Sequence, residues 1–224
     1  MRTEELIVEL ARAAGPIRPL QRPSVRLAQW MAAVVPLTAV CVIIIGPRRD
    51  VLHAIQQLTF VGIAAATLAT AMLSAAAAFV LSVPAGERSP LQRVAPLVAL
   101  GLWVFVLAVM LTTEDDSARR LTALPFHWLC LIEIAGLGLV PGWALFAMLR
   151  RAAPLRRNWS GGLATLAAVA VGAGATQFLC PIDDPAHHLV GHVLPVALLA
   201  VGGAVAGRRT LDWLRKTDYV AQSQ

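Results

Sequence analysis

Six stretches of this chain are each apolar for close to the length a helix needs to cross a bilayer, and this pattern decides most of what the chain can fold into. A hydrocarbon core of about 30 Å takes about 20 residues of helix. The stretches are Leu27–Ile45, Leu58–Val83, Val94–Thr112, Trp128–Leu149, Gly161–Leu179 and Leu189–Ala206, the last being the shortest. Charge, Pro or Gly bounds each of them, as at Gly46-Pro47-Arg48-Arg49, Glu114-Asp115-Asp116 and Gly207-Arg208-Arg209. Backbone polar groups in lipid must be satisfied within the segment. The expected fold is therefore all-α, a polytopic membrane protein of six transmembrane helices. Only 14% of the residues are charged, against about 25% in soluble domains. Three regions follow: a cytoplasmic N-terminal helix and Pro-rich linker over 1–26, the bundle over 27–207, and a basic tail over 208–224.

Lys and Arg set the orientation, because cytoplasmic loops carry their excess. Of the 19 such residues, 15 fall on the side of the N-terminus, leaving only Arg48, Arg49, Arg119 and Arg120 on the other. Both termini are expected inside, in the bacterial inner membrane. The basic residues cluster at span ends rather than along one face, which argues against direct nucleic-acid binding. Residues 1–26 carry Glu4, Glu5 and Glu9 and lack the apolar core of a cleavable signal peptide.

The N-terminus has a pattern of its own. Thr3 is a suitable cap for a helix, and Glu4 and Glu5 then lie in its first turn, where the helix dipole favours negative charge. Leu6, Ile7, Leu10, Ala11 and Ala14 share a face, and Gly15-Pro16 ends the helix. Such a helix lies on the membrane surface or binds a partner. Within the spans, Gly138/Gly142 and Gly203/Gly207 have GxxxG spacing. That spacing suits close packing inside the bundle, and also a homo-oligomer seam.

The orientation sorts the reactive side chains. Cys130 opens the fourth span and Cys180 closes the fifth, both at the outer edge together with His53, His127, His187, His188 and His192. His127, Cys130 and Glu133 are three apart on one helix, and His188 and His192 lie at i, i+4. Two chemistries suit the set: a disulfide between two cysteines at the same depth, or a thiolate–imidazole site for Zn²⁺, Cd²⁺ or Cu, with a carboxylate such as Glu133, Asp183 or Asp184 completing the shell. Asp183-Asp184 before Pro185 also reads as a solvated turn. Cys41, inside the first span, reads as a small packing residue. The chain has no GxSxG, Walker A or HExxH motif, so an enzyme is not expected.

Several segments together resemble the NrsF family of negative regulators of extracytoplasmic-function sigma factors. They are Thr3-Glu4-Glu5-Leu6-Ile7, Pro16-Ile17-Arg18-Pro19-Leu20, the six-span layout, Ala153-Pro154-Leu155-Arg156, and above all Cys180-Pro181-Ile182-Asp183-Asp184-Pro185-Ala186-His187-His188-Leu189 with His192. The resemblance implies a membrane anti-sigma factor that sequesters its cognate sigma factor and releases it under heavy-metal or oxidative stress. By place in the layout, Cys130 and Cys180 match the family's paired periplasmic cysteines. It implies no constitutive cofactor, only a transient heavy-metal ion at those two residues. The chain lacks the HxxxCxxC signature of soluble zinc-binding anti-sigma domains. Contact with sigma is therefore assigned to Glu4, Glu5, Leu6, Ile7, Glu9 and Leu10, with the basic loops beside them. A small permease or metal-transport accessory protein is the alternative.

Overall fold

A computed structural model describes residues 2–13, 19–83, 90–112, 128–152 and 154–211. Among these the regular structure is helical: α1 (Thr3–Ala13), α2 (Pro23–Ile45), α3 (Val51–Ala54), α4 (Leu58–Leu81), α5 (Pro90–Thr112), α6 (Trp128–Arg150), α7 (Arg157–Thr176), α8 (Pro185–His187), a π-helical turn over His188–Val193, and α9 (Leu194–Thr210). Six helical segments are long and apolar enough to cross a membrane, the sixth running through α8, the π turn and α9. Exposed Ile43, Ile44, Leu58, Phe105 and Trp143 on their outer faces suit lipid rather than water.

Several ends differ from the sequence reading. The first span starts at Pro23 and the third at Pro90, because Pro is well placed at the first position of a helix. The fifth runs Arg157–Thr176 rather than Gly161–Leu179. The sixth is not the shortest but the longest, 26 residues from Pro185 to Thr210. Its histidines look too polar for a span, yet they point into protein and are buried. In α1, Thr3 is the first helical residue rather than the cap, and the Glu5 carboxylate accepts the Arg2 backbone N–H instead.

The bundle is organised around α7, with 72% of its most apolar stretch buried against 11% for α2. Small residues make this possible. A Cβ at Gly161 would fall 2.6 Å from the Gly203 carbonyl oxygen, and one at Gly172 would strike the Ile134 carbonyl of α6. Gly138 and Gly142 face Ala168, and Gly207 faces Arg157 and Gly161. Both GxxxG pairs are thus spent on seams inside the chain, where close backbone approach replaces the missing hydrophobic drive.

Two apolar clusters stack along the bundle. Trp103, Leu107, Ile134 and Val193 pack nearer the cysteine-bearing end, and Trp30, Phe79, Leu145 and Leu149 nearer the opposite end. At that opposite end the buried Arg26 donates to the Met148 carbonyl (2.7 Å) and to Ser82 Oγ (3.1 Å), and its guanidinium lies 4.5 Å over Phe79. Trp30 Nε1 donates to the Pro141 carbonyl at 3.0 Å. Together these bonds fix α2 against α4 and α6.

Candidate metal centre

The site lies where α6 begins, α7 has ended and α8 enters the π turn. Cys130 sits in the first turn of α6. Cys180 is held just beyond α7 by its backbone N–H, which donates to the Thr176 carbonyl at 2.8 Å. An extended stretch to Asp184 follows, and the Asp184 carboxylate caps α8 by accepting from Ala186 N at 3.0 Å. Between these fixed points the two sulfurs lie 4.0 Å apart, and His187 Nε2 is 3.5 Å from Cys130 Sγ and 3.4 Å from Cys180 Sγ. His192 completes the group: one donor atom from each of the four residues lies within 4.8 Å of the others, and all four residues are buried.

The π turn explains how both histidines reach the thiols. In an α-helix, residues five apart lie about 140° from each other around the axis. Hydrogen bonds of the i→i+5 type instead put them on one face, and Leu194 N donates to Leu189 O in that pattern. His187 and His192, five apart, therefore converge. Gly191 leaves room for the first ring, since a Cβ there would sit 3.0 Å from His187 Cε1. His188 lies alongside, its ring 4.6 Å from that of His192, but it is outside the four-donor group. The i, i+4 neighbours His188 and His192 read from the sequence do lie ring to ring, but it is His187, at i, i+5 from His192, that joins it in the donor group.

The donor set fits a tetrahedral ion. With Zn–S near 2.3 Å and Zn–N near 2.0 Å, a tetrahedron has S···S edges of about 3.8 Å and S···N edges of about 3.5 Å. The observed 4.0, 3.5 and 3.4 Å are close to those edges. His192 Nε2 is buried and has no hydrogen-bond partner among the described residues. Cys180 is held below the usual thiol range, first by the hydrogen bond from Cys130 and then by His187 and His192 against the effect of burial. Both cysteines are free thiols here.

Other sequence-assigned residues have different places. Asp183 pairs with Arg48 through both carboxylate oxygens at 2.6 Å, and Asp184 serves as the α8 cap, so neither joins the four donors. Glu133 lies one turn into α6, partly buried and outside the group. His127 falls outside the described residues. On α1, Glu4, Glu5, Leu6, Ile7 and Glu9 are exposed, and the side chain of Leu10 lies outside the described set. Cys41 is partly buried within α2.

Arg48 is the residue that sequence reasoning missed. It is 6% exposed and takes both oxygens of Asp50 at 2.7 Å as well as both of Asp183. The same guanidinium donates to the Cys180 carbonyl at 3.1 Å, and the Arg48 backbone N–H donates to Phe178 O. Gly46, at φ +100°, turns the chain out of α2 to deliver it. The two carboxylates raise the Arg48 pKa further above its ordinary value, and the Arg48 hydrogen bond lowers Asp50 to about 2. This bidentate clasp fixes the cysteine-bearing connection to the α2–α3 turn. Outer residues that orient a ligand typically change metal affinity by about 10–100-fold. Arg48→Gln is expected to weaken metal binding within that range, as read by competition with a chromophoric chelator.

Fold and site together define a six-span helical membrane protein with a buried Cys₂His₂ donor cluster at one end of its bundle. The family model described as "Negative regulator of sigma F" (NrsF) matches residues 10–213, and the chain belongs to that family. Membership gives it an anti-sigma role. All four donors, Arg48 and Arg26 fall inside the matched region, which begins within α1. No curated protein and no solved structure matches.

Proposed function

We propose that this chain is a transmembrane anti-sigma factor that holds a cognate extracytoplasmic-function sigma factor at the bacterial inner membrane and releases it when heavy metal or an oxidant reacts at Cys130 and Cys180. Both termini face the cytoplasm and the donor cluster faces the periplasm. The chain regulates rather than catalyses. The observation that carries the sensing role is the buried group of two thiols and two imidazoles, a combination suited to Zn²⁺ or Cd²⁺. When bound, the ion would supply a four-way crosslink between the start of α6, the connection after α7 and the π turn. The residues themselves orient the donors: Arg48 by the Cys180 carbonyl, Gly191 by leaving space for His187.

The oxidative branch uses the same two sulfurs. Each thiol gives up one proton and one electron to a two-electron oxidant such as a peroxide, and an S–S bond forms. The sulfurs must then close from 4.0 Å to about 2.05 Å. The oxidant would thus draw α6 toward the connection that follows α7, whereas an ion would lock the two near their present separation.

Transmission requires an element that reaches both ends, and α6 does so. Cys130 and Met148 are separated along it by about 27 Å of helix. The Met148 carbonyl accepts from Arg26, which lies in the first turn of α2, the helix that follows the linker from α1. A stimulus shifts this system only through unequal affinity for two arrangements, and about 1.4 kcal/mol of difference gives a tenfold change. Arg26→Gln is expected to preserve sigma capture but to raise the metal concentration needed for half release by about tenfold or more. An unchanged release curve would remove Arg26 from the path.

The direct test of the whole reading is co-purification of the full chain with its cognate sigma factor, before and after Cd²⁺. Transport, the alternative reading, is checked by flux into liposomes. The Thr67 and Thr70 hydroxyls inside α4 bond back to their own helix at Ala64 O and Ala66 O, an arrangement that offers no relay to charged cargo.

A further inference from the structure

At the end of the bundle opposite the cysteines, two depressions share a wall. One is a basic cleft of about 390 Å³ lined by Arg156, Arg157 and Arg208, with Asn158 and Trp159. The other is an apolar groove of about 340 Å³ running between α5, α7 and α9, and it is also bordered by Asn158 and Trp159. Arg208 Nε donates to Asn158 Oδ1 at 2.9 Å, which fixes one guanidinium at the point where cleft and groove meet.

We propose that this continuous surface is a site for one anionic phospholipid, its phosphate in the arginine cleft and an acyl chain in the groove. Charge complementarity selects the head: three arginines line one cleft at a helix end, the arrangement that holds acidic headgroups between transmembrane helices. The groove selects a lipid rather than a free anion. From Asn158 it descends along α7 to Leu166, about 12 Å of helix, and its walls are Leu97, Leu163, Ala200 and Val201 among apolar neighbours. Gly162 and Ala204 keep the floor low enough for a methylene chain, since a Cβ at Gly162 would already touch Ala204 Cβ at 3.1 Å. Trp159, 40% exposed at the junction, lies in the first turn of a membrane-spanning helix, where indole rings are favoured. A protein partner would match the arginines but would not reach a groove lying at membrane depth.

Native mass spectrometry of the full chain released from nanodiscs of equal phosphatidylglycerol and phosphatidylcholine tests the site. Phosphatidylglycerol should be retained over phosphatidylcholine by about tenfold or more. The Arg156→Gln, Arg208→Gln double variant should fall near parity. Both side chains are exposed, so its thermal midpoint in detergent should match the parent and exclude misfolding. Equal retention of both lipids by the parent, or an unchanged preference in the variant, overturns the proposal. Displacement of the lipid by millimolar inorganic phosphate would mark a free-anion site instead. Loss of sigma capture with lipid preference intact would mark a protein-docking surface. Either result also overturns it.

Discussion

Replacing Cys130 and Cys180 with serine should lower the affinity of the purified protein for Cd²⁺ or Zn²⁺ by at least about three orders of magnitude. Two of four donors are lost from a class of site whose full binding free energy is about 10–16 kcal/mol. The hydroxyls that replace them are poor ligands for soft ions. Sigma capture without metal should be unaffected, because the cysteines and the linker after α1 occupy opposite ends of the bundle. His187→Ala and His192→Ala should each weaken metal binding while leaving both thiols titratable by a thiol reagent, which separates ligation from oxidation. Isothermal titration with the metal reads the first effect, and a sigma-dependent reporter reads the second. A double serine variant that still releases sigma normally on Cd²⁺ would sink the sensing assignment.

Removing residues 3–13 should abolish capture of the sigma factor while leaving the membrane bundle intact. Leu6 and Ile7 are 40% and 60% exposed on α1, flanked by exposed Glu4, Glu5 and Glu9. An isolated helix of 11 residues is marginal in water. A partner that buries its apolar face would supply the missing stabilisation, as in helix-in-groove recognition. Leu6→Glu with Ile7→Glu should reproduce most of the loss without shortening the chain. The thermal midpoint and metal titration of the truncated protein should match those of the full chain. Retained co-purification would transfer the contact to the basic loops.

The six spans were legible because lipid imposes a length and a composition that few other structures meet. Their ends were less so. Arg26 looks like a boundary charge, yet it lies inside a helix, buried against Met148, Ser82 and Phe79, and Arg157 opens its helix four residues before the apolar run begins. The two cysteines and the histidine-rich segment were also legible, since thiols and imidazoles stand out in an apolar chain. Which histidines meet the sulfurs was not. An α-helical wheel pairs His188 with His192, which do lie together, and the i→i+5 bonding over His188–Val193 brings His187 round to the sulfurs as well. Arg48 had a signal that went unread. It is one of four basic residues on the side where Lys and Arg are scarce, and an arginine kept there against the general bias calls for acidic partners, which Asp50 and Asp183 provide.

The π turn also solves a problem of phase between two ends of one span. On α9, Gly203 and Gly207 must meet Thr165, Gly161 and Arg157 of α7, which fixes the rotation of that helix about its axis. Near its start, the same span must aim two imidazoles at sulfurs carried by α6 and by the connection after α7. A uniform α-helix has one phase, so satisfying the seam would leave His187 and His192 about 140° apart. The wider turn resets the phase between donor cluster and seam. Either can therefore be tuned by substitution without dragging the other out of alignment, and deleting a single residue from 188–193 should scatter the four donors while sparing the seam.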